Sequence, residues 1–160
     1  MKLSQLISAD QILPEMRAGE HWPAIVELVE HLRFLGTINA ALEAEILDSL
    51  KVREELVSTG IGSGVAIPHA FSDQIDHVVA VLGRSISGID FEALDGGPVH
   101  FVFLFIVPRR DHHLHLRTLA AIAKMFTNEE IRRRIGEASS REEILAILDP
   151  TASRTTDTGN

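Results

Sequence analysis

The chain has 160 residues, 45% of them hydrophobic, no cysteine, and a formal net charge of −8. That length and apolar content describe one globular domain with a real core and exclude a disordered chain. The missing cysteine excludes disulfides, thiolate metal sites and cysteine nucleophiles, and the acidic balance argues against a general nucleic-acid binder. The opening Met1-Lys2-Leu3-Ser4-Gln5 lacks the apolar core of a signal peptide. The longest apolar run, Val99 to Val107, contains His100 and is too short to span a bilayer as a helix. A cytoplasmic protein without membrane insertion is expected.

In chain order, Ile12-Leu13 reads as an edge strand ended by Pro14. His21 to Leu35 reads as a helix, with Pro23 in its first turn and Gly36 just past its end. His21 and His31 are expected on its surface. A second helix is predicted from about Asn39 to Leu56, with Asn39 as its N-cap and Leu42, Ile46 and Leu50 on one face. Arg53 lies in its last turn. There it can reach an anion, pair with a glutamate or cap the helix end.

The most unusual stretch follows, Ser58-Thr59-Gly60-Ile61-Gly62-Ser63-Gly64-Val65-Ala66-Ile67-Pro68-His69-Ala70. Glycine at alternate positions allows positive φ and close approach of the backbone to a bound group, and successive amides in such a loop can cradle an anion. Val65-Ala66-Ile67 reads as a short buried strand. Pro68 fixes its own φ and holds Ile67 extended, so His69 stands at a stiff corner.

Ser72-Asp73-Gln74 reads as a surface turn and His77 to Leu82 as a strand. Ser87-Gly88 marks a break, and Asp95-Gly96-Gly97 a turn. Val99 to Val107 reads as a central strand covered on both faces, with His100 buried and satisfied. Asp111 is expected to cap a helix from His112 to Phe126 whose inner face is Leu116, Leu119, Ile122, Ala123 and Phe126. A fourth helix is expected after a Thr127/Glu130 capping box, stopped by Gly136. A fifth, Arg141 to Leu148, opens with Ser140-x-x-Glu143 and ends at Pro150. Thr151–Asn160 reads as a disordered polar tail. The segment between the strands at 77–82 and 99–107 leaves no room for a full crossover helix. The predicted fold is therefore α/β: a single mixed parallel/antiparallel sheet flanked by helices on both faces.

Several chemistries fail on spacing. No Gly-Lys-Ser/Thr follows the glycines, so the loop is not a P-loop. A strand follows it where a dinucleotide site needs a helix. Ser58 and Ser63 lack a nucleophile elbow. In His112-His113-Leu114-His115 only His112 and His115 share a helix face, and only Asp111 adds a nearby carboxylate, so neither a metal site nor a cofactor is expected. Arg132, Arg133 and Arg134 read as a solvated helix face. A phosphohistidine accounts for more features together. A neutral imidazole is a competent nucleophile near pH 7, and phosphoryl transfer needs positioning and charge stabilisation above all. The loop amides, the hydroxyls of Ser58 and Thr59, Arg53, and a second histidine at a helix start, such as His115, are the groups able to supply them. Read as residues alone, Pro68-His69 is equally a rigid turn.

Arg53-Glu54-Glu55, Ser58-Thr59-Gly60-Ile61-Gly62 and Val65-Ala66-Ile67-Pro68-His69 resemble the active-site signature of the fructose/mannitol class of enzyme IIA domains of the bacterial phosphotransferase system. His115-Leu116-Arg117-Thr118-Leu119 resembles that family's second histidine motif. Phe91-Glu92-Ala93-Leu94-Asp95 and Val107-Pro108 also match its style. The resemblance implies a IIA-type domain over 1–150 with the mixed-sheet fold. His69 would be phosphorylated by a histidine-phosphorylated HPr-like carrier, His115 would stabilise the phosphoryl group, and Arg53 would complete the anion site. Ser58, Thr59, Gly60, Gly62 and Pro68 would surround that group. Within the family, a free-standing domain opening Leu3-Ser4-Gln5-Leu6-Ile7 is most similar to the nitrogen-type regulatory IIA, which acts on a regulatory partner. The alternatives are a stand-alone fructose- or mannitol-type IIA serving a IIB domain in sugar uptake, and an anion- or metal-binding module without phosphotransfer.

Overall fold

The strand β6, Val99–Pro108, runs through the middle of the protein. Phe101, Phe103 and Phe105 alternate with Val102, Leu104 and Ile106, and all six side chains are buried. Because successive strand residues face opposite ways, one side of the sheet is aromatic and the other aliphatic. The aliphatic side packs on Ile25, Leu28 and Leu32 of α1 (His21–Phe34) and on Leu42, Ile46 and Leu50 of α2 (Ala40–Leu56). The aromatic side packs on Ile122 and Phe126 of α3 (His112–Phe126), Ile135 of α4 (Glu129–Glu137), and Ile144 and Leu148 of α5 (Arg141–Leu148). Two covered faces explain why no polar alternation interrupts this strand. The structure is a computed structural model that describes residues 1–149; it does not describe the side chain of His112.

The sheet is mixed, as expected. Its order is β1 (Ile12–Leu13), β5 (Val79–Ile89), β6, β3 (Val65–Ala66) and β2 (Gly60–Gly62), with β4 (His69–Ser72) also on β6. β1 lies parallel to β5 at one edge, and β5 is antiparallel to β6. β2 is antiparallel to β3. β3 and β4 both run parallel to β6, at Phe101–Val102 and Phe105–Pro108 respectively. They are one strand interrupted at Ile67-Pro68. Pro68 lacks an N–H, but its carbonyl still accepts from Phe105 N–H at 3.1 Å, so the ladder resumes at once. The register sets His69 beside Phe105, on the aromatic face toward α3.

Helix starts follow the predicted caps at Asn39, Asp111 and Ser140, whose side chains accept from Leu42, Leu114 and Glu143 N–H. Other expectations need correcting. Asn128, not Thr127, caps α4, accepting from Ile131 N–H at 3.1 Å; Thr127 instead donates back to Lys124 O. Gly136 lies inside α4 rather than ending it. Leu116 is 60% exposed, because the inward stripe of α3 carries the polar His115 and Thr118 and Leu116 stands about 100° round the helix from His115. Ser72 is the buried end of β4, not part of a surface turn. β5 continues through Ser87-Gly88, absorbing the break as a register shift between Arg84 and Ile89. The expected helix stop at Pro150 and the tail 151–160 lie outside the described residues.

Candidate functional site

The site begins with the break in the β3–β4 strand. Ile67, held extended before Pro68, turns its carbonyl to His69, whose Nδ1 lies 2.9 Å from it. A carbonyl only accepts, so Nδ1 carries the proton and Nε2 carries the ring's lone pair. His69 is 6% exposed, and its Nε2 is buried without a hydrogen-bond partner. The ring stacks on Phe105 at 5.1 Å between centroids and 11° between planes. His115, from the first turn of α3, meets it at 4.8 Å and 34°. Phe71 closes the cluster edge-on to both histidine rings, at 6.5 Å and 4.9 Å. Arg53, exposed in the last turn of α2, holds its guanidinium 5.9 Å from the Phe71 centroid.

Three side chains far apart in sequence therefore converge on one imidazole. Burial pushes the His69 pKa down to about 4, against a weaker opposing pull from its bond to Ile67, and the positive charges available on Arg53 and His115 lower it further. The ring is neutral at pH 7, with a nucleophilic nitrogen beside two potential cations. Such a nitrogen can take an electrophilic group whose anionic oxygens the cations then face.

The glycine loop is shaped by its own bonds. Ser58 donates its hydroxyl to Phe91 O at 2.9 Å and accepts from Gly60 N–H at 3.1 Å. Thr59 gives its hydroxyl to Glu54 Oε1 at 2.5 Å and its N–H to Oε2 at 3.1 Å. Ser63 N–H goes to Asp95 at 3.1 Å. Gly62, Ser63 and Gly64 all have positive φ, 98°, 58° and 79°, a run that glycine makes affordable. Gly60 is needed for a different reason: a Cβ there would sit 2.8 Å from Ala93 Cβ. In this state the hydroxyl protons of Ser58 and Thr59 point to Phe91 and Glu54, not to His69.

Phe71 and Phe105 form two walls of the site that no sequence motif marks. The register of β4 against β6 would have been needed to find them. His21 is not a surface residue as expected: it pairs with Glu54 at 2.7 Å, with side chains 12% and 4% exposed, and packs on Phe91 at 4.1 Å. Glu54 did have a sequence signal, since it extends the i, i+4 stripe Leu42–Ile46–Leu50 by one more step. His113 is exposed. His100 is half-buried with Nδ1 2.8 Å from Ser85 O, and Arg133 pairs with Glu130 and Glu137 on an exposed face.

Residues 5–150 match the family model described as "Phosphoenolpyruvate-dependent sugar phosphotransferase system, EIIA 2". The chain belongs to that family: it is a phosphotransferase-system enzyme IIA. Among its relatives, the nitrogen regulatory protein of Pseudomonas aeruginosa is 35% identical over 150 residues, covering 92% of this chain and 95% of that one. The nitrogen regulatory protein of Bradyrhizobium diazoefficiens is 30% identical over 148 residues, again 92% and 95%. The fructose-specific EIIABC component of Bacillus subtilis is 34% identical over 151 residues, 93% of this chain but 23% of that protein. The crystal structure of nitrogen regulatory protein IIA-Ntr from Neisseria meningitidis superposes with a TM-score of 0.82 at 30% identity, covering 91% of this chain and 98% of that one. Mannitol IIA from Escherichia coli shares the fold, with a TM-score of 0.73 at 20% identity over 89% and 98%. Among the described residues no helix is long and apolar enough to cross a membrane.

Proposed function

We propose that this chain accepts a phosphoryl group on Nε2 of His69 from a histidine-phosphorylated HPr-like carrier and signals by its phosphorylation state. The observation that carries this reading is the Nδ1–H bond to Ile67 O, which leaves the buried, unpartnered Nε2 as the nucleophile. In the transfer, the lone pair of Nε2 forms a new N–P bond while the donor's N–P bond breaks and its electron pair returns to the donor ring. Nδ1 keeps its proton throughout, so no base is needed. Arg53 and His115 face the phosphoryl oxygens, whose charge is the main thing to be stabilised. Ser58, Thr59, Gly60 and Gly62 serve by shaping the loop, and Pro68 by orienting the Ile67 carbonyl. Nε2 is covered here, so a docking donor must displace a neighbouring side chain; Arg53, exposed on its helix end, is free to swing.

Similarity to nitrogen regulatory proteins over 92% of this chain and 95% of each of theirs supports a regulatory role through a downstream protein target. A phosphoryl group adds about −1.5 to −2 charge to a chain already at −8, which changes the faces it can dock. The similarity to a fructose-specific component supports the second reading, onward transfer to a IIB domain. A cytoplasmic location suits both. Incubation with phosphoenolpyruvate and the general phosphocarriers should give an acid-labile, base-stable adduct on His69, absent in His69→Ala. Stable phosphorylation of His69→Ala overturns the assignment, and transfer to a sugar-specific IIB domain would select transport over regulation.

A further inference from the structure

We propose that the His21–Glu54 pair is a positioning unit for the nucleophile, a role that rests on the proposed chemistry at His69. The pair is joined to His69 by an unbroken chain of hydrogen bonds. His21 Nε2 lies 2.7 Å from Glu54 Oε2; a carboxylate accepts, so this nitrogen carries the proton. Glu54 then grips Thr59 twice, through its hydroxyl and its N–H. Thr59 O accepts from Ile67 N–H at 3.0 Å. Ile67 O accepts from His69 Nδ1–H. The residue that selects the tautomer of His69 is thus anchored on its other side to a residue that Glu54 holds at two points.

The same carboxylate fixes a second arm of the site. Arg53 and Glu54 are neighbours on α2, about 100° apart around the helix, so Glu54 faces inward while Arg53 faces out. Pinning Glu54 between His21 and Thr59 also fixes the helix end from which Arg53 departs. A carboxylate at this depth carries a large desolvation cost unless fully bonded. Here it accepts one bond from His21 and two from Thr59, and the ring of His21 is itself packed on the buried Phe91. Apolar residues in those places would bury more easily, but they could not hold the loop carbonyl of Thr59 in line with Ile67 N–H. The role is one of position. The two peptide groups at Ile67 are separate amides, so the chain transmits geometry and carries no proton.

The test uses the full chain labelled with ¹⁵N in its histidine rings. Wild type should show His69 as the Nδ1–H tautomer. His21→Ala and Glu54→Ala should convert it to a mixture of tautomers and slow phosphoryl acceptance from the HPr-like donor about 10- to 100-fold, the scale on which a misplacement of ~1 Å acts. Glu54→Gln keeps an acceptor for Thr59 N–H and His21, and should restore most of the rate. Asn39→Ala, which weakens α2 at its far end, should leave the tautomer unchanged; an equal loss there would mean that general destabilisation is responsible and would overturn the proposal. It is likewise overturned if folded Glu54→Ala keeps the wild-type tautomer, whether its rate falls or not. If wild type accepts no phosphoryl group at all, the functional reading fails, and the ring spectra still decide the positioning.

Discussion

Acidification should destabilise this protein through His69 by an amount readable from its surroundings. The ring's pKa lies at about 4 in the folded protein, against 6.5 for an unperturbed histidine. Burial is the main cause, followed by Arg53 and His115, with the bond to Ile67 acting in the opposite direction. Between those two pH values the unfolded chain holds a proton on this residue and the native chain does not. Stability therefore rises with pH across the window: the contribution is complete above about pH 6.5 and lost as pH falls toward 4. At ~1.4 kcal/mol per unit the loss is about 3 kcal/mol. Urea unfolding of wild type and His69→Gln at pH 7, 5.5 and 4 isolates this residue, because the other histidines are common to both. Wild type should lose about 3 kcal/mol more than the variant. The kinetic counterpart is a transfer rate that stays flat down to about pH 5, where an unperturbed imidazole would be almost wholly protonated. A His69 ring that titrates near 6.5 by NMR, with parallel pH profiles for the two proteins, would refute the account of a desolvated, neutral nucleophile.

Arg53→Ala should raise the His69 midpoint above about 4 and slow phosphoryl acceptance about 100-fold, the size of effect seen when one charge-stabilising donor is removed; NMR titration and donor kinetics measure both, and Arg53→Lys should recover part of the rate. His115→Ala should slow acceptance about 10-fold or more while His69 remains the modified residue, as peptide mapping would show. Gly60→Ala would place a Cβ 2.8 Å from Ala93 Cβ and 2.9 Å from its Cα. The backbone contact cannot simply rotate away, so the variant should lose about 1–3 kcal/mol in urea unfolding. Arg84, 6% exposed, donates to the carbonyls of Pro14, Ile135 and Ala138 and so closes the end of α4 onto the sheet. Arg84→Met should cost about 3 kcal/mol by removing the charged donor from the Pro14 and Ala138 carbonyls and one of the two donors to Ile135 O, which Ala138 N–H still reaches at 3.3 Å, with the His69 ring spectrum unchanged.

The helices were legible because their signals are local. Asn39, Asp111 and Ser140 each bond an amide three residues on, a contact that chain connectivity alone arranges. β6 was legible because a run of apolar residues this continuous has a strand covered on both faces as its natural home. Errors gathered where two local signals competed or where a partner was distant. Thr127 fits the capping-box spacing to Glu130, but its neighbour Asn128, the better cap residue, takes the position by accepting from Ile131 N–H. Leu116 looked inward until His115 and Thr118 took the inward stripe.

For the site, the sequence alone was enough to mark His69 as exceptional, through Pro68 and the glycines before it, and to nominate Arg53 and His115. It also carried the composition of a one-domain α/β protein and the family signature. What only the tertiary structure decided is how those residues meet: that the strand interrupted at Ile67-Pro68 resumes in register with Phe105, that this register turns His69 toward α3, and that His21 is a half-buried partner of the buried Glu54. Each of these depends on contacts between residues tens of positions apart. No local propensity encodes such a contact; it is selected when the two faces of the sheet are buried together. The stiff corner at His69 was thus readable as a chain property, while its low pKa, its tautomer and its cationic neighbours are properties of the packed fold.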